Sequence, residues 1–415
     1  MSEKKNTGKK AVIAVIVIAL IVVIIALAVV ISGKSKKDGS KSATEAGTET
    51  MRSGQFDIDY AKQVTKLADY SGVAITVSND YEINDTAKQT YLTNVLQSYG
   101  ADAYKQVTDR DTVADGDYVK VDYTGYKDGK AFDGGSATDV LLDVTNNSQV
   151  GGSSFIDGFT KPLIGAKVGD KVKGDVTFPE DYGNDDLNGQ TVTFEYTVKG
   201  IYSADPVALA DMTDEQVNTV FGKAGVTTNA QLTTQIEKDL KQQLYSAEVD
   251  KIKSYMIDNS TVEIPDEYLQ ARLNEYIASF TKENVKDGQT LKKYLKSNYN
   301  MTVDQATEKW KENLTEQIKT EFIFGLIAEK ENIKMDDDTF NSYVDYIVSA
   351  SNGQFSKASE VYKYFGSGHK DEGKTYLKNQ YLVNKAIDTV TEKANVTFED
   401  GSAAPDTSSG SADAE

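Results

Sequence analysis

Residues 123–135 read YTGYKDGKAFDGG, and the fold is decided by this stretch and its flanks. Upstream, Val119, Val121 and Tyr123 alternate with polar residues. Downstream, Val172 and Val176, and then the run Val192, Phe194, Tyr196 and Val198, keep the same step of two, with Gly, Asp and Asn clusters between them. Successive side chains of a strand point to opposite faces, so this period predicts half-buried strands joined by tight turns. Residues 116–202 are therefore expected to form a compact antiparallel β unit.

The period changes on either side. From about Leu209 the apolar residues recur at i+4: Leu232, Ile236, Leu240 and Leu244, then Ala306, Trp310, Leu314, Ile318, Phe322 and Leu326. Residues so spaced share one helix face. Pro265, followed by Asp266 and Glu267, supplies a helix start, and about seven helices are expected between Thr213 and Ala394 with no internal repeat. Residues 56–115 read as a connecting arm, with a strand at 73–77 and a helix at about 84–99 opened by Asn84 and closed by Gly100.

The ends differ in composition. Every residue from Ala11 to Ile31 is Ala, Val, Ile or Leu, and as a helix the run measures about 31 Å against the ~30 Å hydrocarbon layer. It reads as a membrane span behind a short tail at 1–10. A secretory signal core has only ~7–15 residues, which favours an uncleaved anchor. Residues 32–55 read as a flexible tether and 401–415 as a disordered acidic tail. Lysines flank the span on both sides in equal number, so they leave its orientation undecided.

Charge completes the picture. The chain has 415 residues and a formal charge of −19. With +3 on residues 1–10 and +2 on residues 32–52, residues 53–415 carry −24. A body that acidic repels nucleic acid and anionic headgroups. The expectation is a single-pass protein of the cell membrane with its tail inside and its body outside the cytoplasm. There is no cysteine and one histidine, His369. Disulfide scaffolds, thiolate metal sites and cysteine nucleophiles are excluded, and a two-histidine metal centre has no second ligand. No metal or cofactor is expected.

The stretch at 123–135 is followed by FIDGF at 155–159, LIGAKVGD at 163–170, FPEDYGNDDLNGQ at 178–190 and VTFEYTVKGI at 192–201. In this order and spacing the motifs closely resemble the FKBP-type peptidyl-prolyl isomerase domain, in the version carried by bacterial trigger factor. A looser resemblance to that family's helical chaperone domain extends over EIPDEYLQARLNEYI from Glu263 and IAEKENIKMDDDTF from Ile327. Behind the single N-terminal transmembrane helix read at 11–31, the resemblance implies a small antiparallel FKBP-like β domain at 116–202 and an all-helical chaperone domain at 203–400, an α+β chain as a whole. It also implies that Tyr123, Phe132, Asp133, Phe155, Ile156, Phe159, Tyr182 and Phe194 line a proline pocket. In it the Tyr182 hydroxyl would donate a hydrogen bond, the Ile156 N–H would hold a substrate carbonyl, and Asp133 would orient the pocket electrostatically. Taken singly, such aromatics are ordinary core residues and Asp133 an ordinary turn former; their joint order is what points to a site.

Two departures bear on turnover. Val140 stands where the family often has an aromatic wall, and TNNSQVGGSS at 145–154 is longer than the usual Gly-Ser turn; either would suit a vestigial isomerase that still holds unfolded chains. The family's ribosome-docking domain, with its basic Gly-Phe-Arg signature, is expected to be absent, with the anchor and tether in its place. The expected partners are thus unfolded or nascent secreted polypeptides and the membrane, with neither ribosome nor nucleic acid.

Three further features have plainer readings. GHKDEGKT at 368–375 satisfies the P-loop pattern, but it lies among helices and carries two acids where phosphate would sit, so a helix–helix turn with an exposed His369 is expected. The acidic run at Asp336, Asp337 and Asp338 lacks the alternation of a calcium loop. Tyr276, Phe280, Tyr294, Tyr343, Tyr346, Phe355, Tyr362 and Tyr381 are divided between core and an apolar cradle for unfolded chains, a division the sequence alone does not make.

Overall fold

The computed structural model describes residues 51–98, 103–286 and 288–407, which fall into two compact units. The first covers residues 83–240; the second covers the described residues up to 82 together with 241–407. The helix Asn229–Asn259 contributes its first turns to one and the remainder to the other.

The first unit is built on an antiparallel sheet. The strands Asp117–Lys127 and Lys130–Asp143 form a hairpin whose turn residues Asp128 and Gly129 both have positive φ, as a two-residue turn matching the sheet twist requires. The long strand Thr191–Pro206 pairs with Asp117–Lys127 along one edge, and with Lys171–Thr177 and Tyr104–Gln106 along the other. The period of two seen in sequence is the inward face: Val119, Val121, Val192, Phe194, Tyr196 and Val198 are all buried. A second core lies on the other side of the sheet. There Leu141 and Val150 pack with Leu92 and Leu96 of the helix Asp85–Leu96, with Val217 and Phe221 of Asp214–Phe221, and with Leu232 and Ile236. The helix read as part of a connecting arm is thus core to this unit. Asn84 caps it, accepting from the Ala87 N–H at 2.9 Å.

The second unit is mainly helical. Ile318, Phe322, Phe324 and Ile327 of Val303–Lys330 pack against Ile387 and Val390 of Lys370–Glu392, and against Ile252 and Met256. Eight α-helices are described between Thr213 and Ala394. Two small pairings tie the early chain into this unit: Val64–Lys66 antiparallel to Thr261–Val262, and Ala74–Val77 parallel to Asn395–Phe398. Arg272 and Glu321, each with a largely buried side chain, pair at 2.8 Å between the helices Asp266–Asn284 and Val303–Lys330.

Several expectations change here. The transmembrane helix expected over 11–31 lies outside the described residues. Among the described residues no helix is long and apolar enough to cross a membrane. The longest, Asn229–Asn259 and Val303–Lys330, have the length but carry Lys, Glu and Asp throughout. The fold class is accordingly corrected to a mixed α and β architecture whose described part holds no membrane-spanning helix. No described helix supports the single-pass, extracytoplasmic placement. Residues 52–55, read as tether, are ordered instead. Ser53–Gln55 is a 3-10 turn, the Arg52 guanidinium pairs with Glu372 at 2.6 Å, and the Ser53 N–H donates to Glu275 at 2.9 Å. Residues 401–407 of the expected tail are likewise held, with the Thr407 hydroxyl donating to buried Glu248 at 2.6 Å. Charged hydrogen bonds, invisible to composition, outweigh the low apolar content of both segments.

Candidate active site

All eight residues named from sequence line one cleft of about 270 Å³ in the first unit. Tyr123 comes from the strand Asp117–Lys127, and Phe194 from the neighbouring strand, where it stands opposite Gly125. Phe132 and Asp133 open the returning strand of the hairpin. Phe155, Ile156 and Phe159 come from the loop after it, and Tyr182 from the turn at 178–190.

The rings form a continuous wall. Phe155 and Phe159 stack with centroids 4.2 Å apart and planes 12° from parallel, while Phe159 meets Tyr123 and Phe194 edge-on at 5.1 and 4.8 Å. Edge-to-face and offset contacts of this kind hold the rings in fixed relative positions. Phe132 packs edge-on against Phe194 at 6.0 Å. Its ring fits between Gly125 and Gly135: a Cβ on either glycine would fall 2.6 Å from a Phe132 ring carbon. The buried Tyr196 hydroxyl donates to the Phe159 carbonyl at 2.6 Å and fixes the loop beneath the stacked pair.

Polar groups are few and differ in setting. Tyr182 is 48% exposed at the rim, where its ring packs edge-on against Phe178 at 4.6 Å. Tyr123 is half-buried, and burial pushes its phenol above the ordinary value. Asp133 is exposed at the mouth. The Ile156 N–H has no acceptor among the described residues. Such a group, at the edge of an apolar cleft, is poised for an incoming carbonyl.

The sequence reading missed part of this wall. Phe178, Leu187 and Asn184 also line the cleft; all three lie in the 178–190 motif, where the apolar alternation that would have marked Phe178 and Leu187 is broken by turns. Val140 does not line the cleft but packs against the buried core of the sheet. The sheet's register thus gives the expected aromatic wall no part in shaping the cleft.

A family model described as FKBP-type peptidyl-prolyl cis-trans isomerase matches residues 110–199. One described as the bacterial trigger factor C-terminus matches residues 227–392. The chain is thus similar to trigger factor in its helical part and to the FKBP-type domain over residues 110–199. Among similar curated proteins, the trigger factor of Agathobacter rectalis is 29% identical over 79% of this chain and 69% of its own length. That of Clostridium botulinum is 29% identical over 66% and 62%, and that of Staphylococcus saprophyticus 27% identical over 80% and 71%. A solved trigger factor chaperone, described for promiscuous substrate recognition in folding and assembly activities, aligns at 18% identity with a TM-score of 0.41, covering 79% of this chain and 72% of its own. These relatives are trigger factors, and neither they nor any described helix supports the membrane-held placement read from residues 11–31.

In the helical part matched to the trigger factor C-terminus, the aromatics divide. Phe355 and Tyr362 are buried. Tyr343 and Tyr381 pack edge-on at 5.5 Å. Tyr276, Phe280 and Tyr294 form a half-exposed cluster with Trp310: Phe280 lies 4.9 Å from Trp310 and 5.9 Å from Tyr294, and Tyr299 beside them is 43% exposed. GHKDEGKT is not a phosphate cradle. His369 is the exposed residue before the helix Lys370–Glu392, and Gly373 lies within that helix. Asp336 caps the helix Asp337–Ala350, accepting from the Thr339 N–H at 2.7 Å, which holds its carboxyl below the ordinary value.

Proposed function

We propose that the FKBP-type domain is a peptidyl-prolyl cis-trans isomerase and that the chain is a chaperone for unfolded polypeptides. The observation that carries the reading is the cleft itself: an aromatic pocket with an unpartnered backbone donor at Ile156 and no acid–base pair. Rotation about an X–Pro bond is slow because amide resonance, worth a barrier of ~18–20 kcal/mol, is lost at the twisted state. That state is less dipolar than the planar amide. A cleft that replaces water with Tyr123, Phe159 and Phe194 around the amide favours it over the ground state, with no bond made or broken.

Each group then has a role the geometry allows. Phe155, Phe159 and Phe194 hold the proline ring. The Ile156 N–H receives a substrate carbonyl, and the Tyr182 hydroxyl at the rim donates to a second. Asp133 sets the field at the mouth. The half-exposed cluster of Tyr276, Phe280, Tyr294 and Trp310 gives the helical part an apolar surface for segments that a folded protein would bury. Residues 116–202 would carry the isomerase and residues 203–400 the holding surface. Together they would serve chains whose folding waits on proline, a step of tens of seconds when uncatalysed.

The two activities separate experimentally. The full chain is expected to speed the proline-limited refolding of a denatured test protein and to suppress its aggregation. Phe194→Ala should abolish the first while leaving the second. Loss of both in the variant, or neither activity in the wild type, would contradict the reading.

A further inference from the structure

The loop at 145–154, longer than an isomerase of this kind needs, holds a residue that aims the cleft's backbone donor. Asn147 has φ +49°, the left-handed conformation that Asn tolerates better than most residues. From there its side chain reaches across to the loop bearing Phe155, Ile156 and Phe159. Its Nδ2 donates to the carbonyls of Phe155 at 3.1 Å and Ile156 at 2.9 Å. Its Oδ1 accepts from the Thr160 N–H at 2.9 Å, and the Thr160 hydroxyl lies 3.1 Å away. The main-chain oxygen of Asn147 accepts from the Phe155 N–H at 2.9 Å. Only this orientation of the carboxamide works, because a flipped group would set its oxygen against two carbonyls and its NH2 against an N–H donor.

The geometry of the trans peptide does the rest. The Phe155 carbonyl and the Ile156 N–H belong to one planar unit and point in opposite directions. By drawing that carbonyl toward itself, Asn147 turns the Ile156 N–H the other way, and Ile156 lines the cleft. The bond from Asn147 to the Ile156 carbonyl fixes the next unit as well. This accounts for why the Ile156 N–H has no acceptor among the described residues: the loop that could have supplied one is held on the opposite side. Thr160, 2% exposed, anchors the arrangement from below through the Val144 carbonyl at 3.1 Å.

We propose that Asn147 is a positioning residue for isomerisation: it holds the 155–156 peptide so that the Ile156 N–H faces the substrate carbonyl. This rests on the isomerase reading above. The extended loop is on this view an aid to turnover and not a sign of its loss.

Two measurements on the full chain test it. The first uses wild-type protein carrying isotope-labelled isoleucine. Addition of an X–Pro peptide is expected to shift the Ile156 amide resonance, and an unmoved resonance in protein that isomerises the peptide would overturn the proposal. The second compares kcat/KM for the same peptide. Loss of one hydrogen bond's aim predicts a fall of roughly tenfold in Asn147→Ala, with its melting transition retained. Asn147→Asp, which turns a carboxylate oxygen on the two carbonyls, should fall at least as far. Thr160→Ser, which keeps both donors, should stay close to wild type. An Asn147→Ala value within about twofold of wild type, below what one aligned hydrogen bond is worth, overturns the positioning role alone. A wild type that does not isomerise overturns the isomerase reading and this proposal with it. Should Asn147→Ala not fold, the wild-type amide shift decides.

Discussion

Phe132 owes its place to what two glycines lack. Gly125 and Gly135 stand on paired strands, and each leaves room on one side of the ring that a Cβ would take, at 2.6 Å from ring carbon. No methyl fits there without moving the ring or the strands. Gly125→Ala is therefore expected to push Phe132 out of the cleft wall. Isomerisation should drop well below wild type, and the melting transition should lose the equivalent of about 1–3 kcal/mol; a variant of unchanged rate would show that Phe132 does not shape the cleft. A second residue, Asp388, makes a prediction about pH. It accepts a hydrogen bond from the Tyr245 hydroxyl. Burial is the largest influence on its carboxyl and raises its pKa above the ordinary value, against the pull of Tyr245 and Lys385. With the folded pKa above the unfolded one, its contribution to stability is full below the unfolded pKa and is lost as pH rises through the folded pKa. Asp388→Asn keeps an acceptor for Tyr245 without the charge. It should raise the denaturation midpoint at neutral pH, with the gain shrinking as pH falls through the raised folded pKa and gone once pH is below the ordinary carboxyl value. A gain that grows on acidification would reverse the assigned sign. At this scale the sequence was informative where a motif fixed the order of aromatics, as for Tyr123 and Phe194. It was silent on Asn147, whose role exists only because a loop brings residue 147 beside residues 155–160.

Elements show the same division between local and distant causes. The i+4 rows predicted helices because one face of each is buried: Ala306, Leu314, Ile318, Phe322 and Leu326 are all buried in Val303–Lys330. The parallel pairing of Ala74–Val77 with Asn395–Phe398 was not legible. A short alternating strand reads alike whatever its partner, and these partners are more than 300 residues apart. The resemblance of GHKDEGKT to a P-loop also resolves at this scale. The glycines serve a tight corner between the helices Ala358–Phe365 and Lys370–Glu392. A Cβ on Gly373 would lie 1.9 Å from the Tyr362 carbonyl oxygen, and one on Gly366 equally close to that of His369. Gly373→Ala must prise these helices apart, costing about 1–3 kcal/mol or more. A lower denaturant midpoint, with isomerisation per folded molecule unchanged, is the expected result; a midpoint equal to wild type would mean that the corner is looser than its geometry indicates.

Across the whole chain, absence of equipment turns into a statement about mechanism. With no cysteine and one exposed histidine, the protein has little for nucleophilic or acid–base chemistry, and its aromatic cleft needs none of it. The sequence carried the β and helical parts well, because burial patterns are local. It misjudged residues 52–55 and 401–407, where ion pairs and hydrogen bonds to distant acids decide order. The central claim is that the cleft bearing Tyr123, Ile156, Tyr182 and Phe194 rotates X–Pro bonds by desolvation and hydrogen bonding alone. The most direct test is the isomerisation rate of a short proline peptide with the full chain and with Tyr182→Phe and Phe194→Ala, followed from about pH 5 to 8, where histidine would titrate. The account predicts a wild-type rate well above the uncatalysed one and flat with pH, a fall of about tenfold without the Tyr182 hydroxyl, and a larger one without the Phe194 ring. Wild type and both variants running together at the uncatalysed rate would contradict it.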